Sequence, residues 1–304
     1  MDITFHPGTN GSDPWVEFYP YRPSREAGYA FTAMFGIMSV VHFILMFPYR
    51  AAYFIPLVIG GICEAFGYYG RAWSHEDITA IGPWSLQLIL ILCAPPFIAA
   101  SVYMTLGRII RAVDAEHLSS IRPGWLTGIF VTNDVICFLT QIAGAGMQVT
   151  RDKQVMEIGI KAVLAGLILS LVVFCGFVWV AAVFHRRLSK NPTPVVVRNP
   201  GLKWGRYMWA IYISCVTLTV RTIVRTIEFA ADKGAEVKSK EVYIYVFDAA
   251  MMAIAVAVLL VWHPGLLIKR VRQANKSSYL DDPVSRDSNS VNVPLTGYEY
   301  HQMR

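Results

Sequence analysis

Arg221, Arg225 and Glu228 sit at helical spacing in "RTIVRTIE", inside a stretch that is otherwise apolar. A charge at the centre of a bilayer costs on the order of 3 kcal/mol even on lenient insertion scales. Groups kept at that cost either pair with one another or receive a polar ligand. At about 100° per residue, Ser214, Thr217, Arg221, Arg225 and Glu228 fall within a sector of roughly 80°. That stripe predicts a helix whose polar side faces other protein segments, not lipid.

Other apolar blocks repeat the pattern. Gly60, Glu64, Gly67 and Arg71 follow i, i+4, i+7, i+11, and Asp134, Gln141 and Gln148 recur every seven residues. Glu241, Tyr245 and Asp248 share a helical face. Gln87 precedes Cys93-Ala94-Pro95-Pro96, where two missing backbone donors predict a kink or hinge. Glu64, Asp134, Glu228 and Asp248 lie deep in four blocks; Arg221 and Arg225 lie at similar depth, and Arg71 nearer one end. Two readings follow. Such groups act as glue between packed helices, or they line a polar chamber that handles a substrate headgroup. The number of polar side chains favours the chamber. His42 and Lys161, nearer span ends, read as satisfied or snorkelling side chains.

These residues need elements to position them. The chain has 304 residues, 55% hydrophobic and 16% charged. A soluble domain is about 25% charged. The apolar residues come in blocks of roughly 20 or more, the length of a membrane span. The fold expected is an all-α bundle of seven transmembrane helices at about 27–47, 52–72, 83–107, 125–147, 159–184, 205–231 and 241–263. Breakers such as Pro48, Gly82-Pro83, Pro123-Gly124, Pro200-Gly201 and Pro264-Gly265 separate them.

Lysine and arginine set the orientation. One alternate set of loops with the C-terminal flank holds fourteen, and the opposite set holds seven. This places the N-terminus outside and the C-terminus in the cytoplasm. Residues 1–26 lack the apolar core of a cleavable signal and form the outer segment, where Asn10-Gly11-Ser12 is a glycosylation sequon. Residues 266–304 read as a cytoplasmic disordered tail. The net charge of +6 follows the loops and tail and forms no basic stripe for nucleic acid. Cys63, Cys93, Cys137, Cys175 and Cys215 fall in separate blocks with no CxxC pair. Neither a metal site nor a cofactor is implied, and nothing in the pattern specifies an oligomer.

The motifs, in order, resemble those of the fungal RTA-like family, seven-span lipid-translocating exporters named for resistance to aminocholesterol. The resemblance covers residues 27–268. It rests on "EAFGYYGR" (64–71), "APPFIAASVYMTLGRII" (94–110), "DVICFLTQIAGAG" (134–146), "RTIVRTIE" (221–228), "EVYIYVFDAAMM" (241–252) and "HPG" (263–265). Val224 stands where an aromatic is common, and Pro95-Pro96 where one proline is usual. The resemblance implies export or flipping of amphiphiles such as sphingoid long-chain bases or sterol-like drugs, in the plasma membrane, with resistance as the result. Some relatives are associated with porphyrin or haem handling. The acidic excess among the buried charges would suit a cationic amphiphile. Partners are therefore expected to be membrane lipids or amphiphilic small molecules.

The rival is a seven-helix sensor or receptor that regulates lipid asymmetry or a stress response. "LGRII" lacks an acidic residue before Arg108, and "WHPGLL" has no Asn-Pro-x-x-Tyr. The last span has no lysine to hold retinal. The seven histidines are scattered, against the convergent set that a zinc hydrolase needs. No nucleotide-binding loop is present, which excludes ATP-driven pumping within this chain, and no enzyme activity is expected.

Overall fold

A computed structural model describes residues 4–6, 15–19, 21–148, 152–231 and 240–281. Seven of its helices are long and apolar enough to cross a membrane. They are α1 Arg25–Tyr49, α2 Ile55–Trp73, α3 Ile81–Ala112, α4 Pro123–Gln148, α5 Lys153–Lys190, α6 Trp204–Ala230 and α7. The last is built from Val242–Ile244, a π-helical stretch Tyr245–Ala250, and Met251–Val261. Consecutive helices pack side by side, α3 also reaches α6, and α7 returns to α1.

Local chemistry accounts for the ends. α1 runs through Pro48, and Arg50 then turns into the left-handed region at φ 49° and stops it. Pro56 lies in the first turn of α2, where a missing donor costs nothing. Asp152 caps α5 by accepting from the Gln154 backbone N–H at 2.9 Å. α5 is the longest helix, 38 residues, about 57 Å at 1.5 Å per residue. That exceeds a hydrocarbon core of about 30 Å. Its last turns carry Arg186, Arg187 and Lys190, and Arg187 donates to the Leu118 carbonyl at 3.1 Å.

Two features differ from the sequence reading. Residues 266–304 were expected as a disordered tail, but a further helix, α8, runs Pro264–Asp281. Its start is amphipathic: Leu267, Ile268 and Val271 are buried, while Lys269 and Arg270 are exposed. The apolar side packs against α3 and α1, which pattern alone reads as a polar tail. Residues 282–304 lie outside the described residues. At the other end, short strands β1 Thr4–His6 and β2 Trp15–Glu17 pair antiparallel, with Thr4 opposite Glu17 and His6 opposite Trp15. The sequon at Asn10 lies outside the described residues.

Close approach of α2 and α3 depends on small residues. A Cβ added at Gly60 would lie 3.0 Å from the Ala94 carbonyl oxygen and 2.8 Å from Ile98 Cγ1; at Gly67 it would lie 2.6 Å from Ile91 Cγ1. Glu64, between these glycines in α2, is fully buried. We expect Gly60→Val to lower stability in detergent by about 1–3 kcal/mol through overpacking. Gly36→Ala, where nothing lies within 4 Å, should shift the thermal midpoint little, within about 0.5 kcal/mol. Equal midpoints for the two variants would show that the glycine contact does not set helix spacing.

Candidate functional site

The α6 stripe meets α7 in one ionic cluster. Both arginines are buried, Arg221 at 4% and Arg225 at 9% exposure. Arg221 Nε pairs with Asp248 Oδ1. Arg225 Nη2 donates to Asp248 Oδ2 at 2.6 Å, and its Nη1 donates to Glu228 Oε2 at 3.1 Å. Asp248 therefore pairs one guanidinium with each oxygen, through a hydrogen bond for Arg225 and an ion pair for Arg221. The planar fork of arginine suits this sharing, and a lysine would not span it. Asp248 lies in the π-helical stretch of α7, a local widening found often at functional positions.

Pro95 and Pro96 lie inside an unbroken α3. Pro95 has no N–H to offer the carbonyl of Ile91, four residues earlier. Arg221 Nη2 fills that place, donating to the Ile91 oxygen at 3.0 Å. The expected hinge residues thus connect directly to the ionic cluster.

Arg71 forms a second centre. Its Nη2 donates to Glu241 Oε1 at 3.0 Å and to the Tyr21 hydroxyl at 2.8 Å, and its Nε donates to the Tyr245 hydroxyl at 3.1 Å. The rings of Tyr19, Tyr21 and Tyr245 lie 5.3 to 5.9 Å from the guanidinium carbon. Glu241 also accepts from the Ser24 backbone N–H at 2.8 Å. The segment before α1 is therefore fastened over Arg71. Tyr19 donates to Gln87 Oε1 at 2.8 Å and meets Ser74 Oγ at 3.0 Å. Burial pushes its phenol above the ordinary range, so it stays a donor. Phe18 stacks on Trp84 at 4.6 Å.

The residues singled out from sequence do not form one group. Arg221, Arg225, Glu228 and Asp248 share ion pairs; Arg71 and Glu241 pair separately. A cavity of about 30 Å³, bordered by Arg71, Arg221, Arg225, Glu228 and Asp248, joins the two centres. Asp134 and Gln141 lie on another side. With Pro95, Pro96 and Tyr103 they border a cavity of about 50 Å³ that also reaches Arg221. Each cavity has room for one or a few waters. The Gln148 side chain lies outside the described residues. Glu64 is fully buried, and neither of its oxygens has a hydrogen-bond partner among the described residues. On the opposite face of α2 an apolar groove of about 670 Å³ runs against α1, lined by Gly36, Val40, Phe43, Ile59 and Phe66.

Tyr19, Tyr21, Ser24 and Ser74 were missed from sequence. The available signal was "FYPYRPS", three aromatic residues in a polar segment. Among the described residues, no group of His, Cys, Asp and Glu is arranged to hold a metal ion.

Seven spans enclosing locked guanidinium–carboxylate pairs define a polytopic membrane protein with a polar interior. A family model described as RTA1 like protein matches residues 57–271. The chain belongs to that family. It is 30% identical to "Protein RTA1" of Saccharomyces cerevisiae over 87% of this chain and 92% of the relative. It is 27% identical to "Protoporphyrin uptake protein 1" of the same yeast, over 81% and 91% respectively. It is 22% identical to the yeast "Sphingoid long-chain base transporter RSB1", over 81% and 73%. No solved structure matches the chain.

The shared carboxylate gives a double-mutant test. Asp248→Asn leaves Arg221 and Arg225 with Glu228 as their remaining paired carboxylate. Removing one partner of a buried pair costs about 3–5 kcal/mol, so folded yield and thermal midpoint should fall sharply. Adding Arg221→Gln leaves one arginine for Glu228 and should recover at least about half of that loss. Additive losses in the double variant would show that the two residues are not energetically paired.

Proposed function

We propose that the protein moves amphiphilic, lipid-like compounds across the membrane and performs no covalent chemistry on them. The observation that carries this reading is the ionic cluster of Arg221, Arg225, Glu228 and Asp248, buried inside a bundle of seven helices long and apolar enough to cross a membrane. Holding four charges there is costly, and packing alone needs fewer. The names of two relatives, one a sphingoid long-chain base transporter and one a protoporphyrin uptake protein, support transport of such molecules.

The finer reading is a cationic amphiphile, such as a sphingoid long-chain base or a sterol-like amine, whose removal confers resistance. Asp248, with Glu64 and Asp134 on neighbouring helices, supplies the carboxylates for its headgroup. Arg71, Glu241 and Gln141 border the route on either side. In a low-dielectric site, each ionic contact is far stronger than in water. The cavity at the cluster, about 30 Å³, is smaller than any such headgroup, so binding requires the helices to part. Pro95-Pro96 marks where α3 yields most easily, because the missing donors leave its hydrogen-bond ladder incomplete. The groove between α1 and α2 suits the apolar body of the ligand.

Orientation and membrane belong to the same proposal. The lysine and arginine bias supports an outside N-terminus and a cytoplasmic tail, with the plasma membrane as the site of action. Glycan attachment at Asn10 and cytosolic protease cleavage near the C-terminus are the expected results. Tail cleavage only from the outside would reverse the orientation.

The function itself is tested in liposomes. Purified protein should speed transbilayer movement of a labelled long-chain base. The charge-balanced Arg221→Gln, Asp248→Asn variant should lose at least about tenfold in rate, equivalent to about 1.4 kcal/mol. Wild-type protein that moves no label would overturn the reading. A folded double variant with undiminished flux would remove the cluster from the mechanism.

A further inference from the structure

Glu64 takes no part in the ion pairs just described, yet it lies inside their field. Asp248, Arg221 and Arg225 all act electrostatically on its carboxyl. It is fully buried, and neither oxygen has a hydrogen-bond partner among the described residues. An ionised carboxylate without a partner in such surroundings is far costlier than the neutral acid. Among themselves, Arg221 and Arg225 against Glu228 and Asp248 sum to zero.

The other groups facing Glu64 do not change this. Its own helix brings Tyr68 and the Cys63 thiol, which meets Cys93 of α3. α1 packs on α2 there through Phe35, stacked on Tyr68, and Ser39, against Gly61. Among the described residues, the cations acting on it are Arg221 and Arg225, both engaged by Asp248.

We infer that Glu64 holds an exchangeable proton, and that the cluster trades this proton for the positive headgroup of a ligand. This rests on the transport reading above and supplies its energy source. The ligand's ammonium takes an oxygen of Asp248 and displaces an arginine. The freed guanidinium turns to Glu64, whose O–H bond breaks, and the proton leaves to water. The four paired charges with neutral Glu64 sum to zero before the exchange. With the ligand cation bound and Glu64 ionised, they sum to zero after it. When the ligand leaves, the arginine returns to Asp248 and Glu64 takes up a proton. Accessible alternately from the two sides, such a site exports a cation against the entry of a proton. The same two arginines thus serve whichever carboxylate is vacant, as expected when one charge set is shared between competing occupants.

The test uses the full-length protein in weakly buffered detergent solution with a pH indicator. The probe is a long-chain amphiphile with a quaternary ammonium headgroup, which has no proton of its own to give. Wild type should release about one proton per ligand bound near neutral pH. Glu64→Gln, checked for folding by its thermal midpoint, should release none. Its infrared spectrum should also lack a protonated-carboxyl carbonyl band that wild type shows. Ligand binding to wild type without proton release would overturn the exchange and leave the transport reading standing. Absence of binding would overturn both the exchange and the cationic-ligand reading. An infrared band unchanged by Glu64→Gln would show that the proton sits elsewhere and sink the inference. Should Glu64→Gln not fold, the wild-type proton count decides alone.

Discussion

The pairing of Asp248 with both Arg221 and Arg225 is the interaction on which the rest of the bundle depends. Two guanidiniums at bilayer depth are tolerable only if their charge is met inside the protein. Meeting it requires α7 to bring a carboxylate against α6 at bonding distance, 2.6 Å for Arg225. That requirement ties the last span to the sixth, and α7 in turn packs against α1. Arg221 extends the tie to α3 through the Ile91 carbonyl. One pair of side chains on α6 thereby fixes the mutual positions of three helices.

The neighbours of this cluster are shaped to keep it narrow. Gly60 and Gly67 let the backbone of α3 approach α2 until a methyl group would not fit between them. Pro95 would leave a carbonyl bare in an apolar helix, but the bare oxygen is the one Arg221 uses. A feature that weakens α3 as an isolated helix is stabilising at this place. The cavities bordering Arg221 are each only large enough for a few waters. The arrangement is a closed one, and traffic of anything larger than water through it implies parting of ion pairs.

The segment ahead of α1 has a structural part. Tyr19 and Tyr21 cover Arg71, and Phe18 and Tyr19 are buried against Trp84, Ser74 and Gln87. Arg71 would otherwise face one end of the bundle with Glu241 and Tyr245 alone. Aromatic faces over a guanidinium add cation–π attraction while excluding water. The wall of the polar cavity is thus completed by residues outside the spans.

Much of the architecture was legible from the chain. Seven apolar blocks of span length leave few alternatives to a helical bundle, because backbone groups in lipid must be satisfied within the segment itself. The 3.6-residue period placed Arg221, Arg225 and Glu228 on one inward stripe, since periodicity within a helix depends on local geometry alone. α8 was not legible, because its few apolar residues acquire meaning only against α3 and α1. The i, i+3 spacing already set Arg225 beside Glu228, but the sequence did not decide which carboxylate on another helix each arginine would find. Glu64, Asp134 and Asp248 were equivalent candidates by depth and type. The packing of helices distant in sequence gave Asp248 to both arginines, Glu241 to Arg71, and a separate cavity to Asp134. It left Glu64 fully buried with no hydrogen-bond partner among the described residues. Span length and face follow from local hydrophobic pattern; partnership follows from angles and distances between helices, which only the tertiary structure sets.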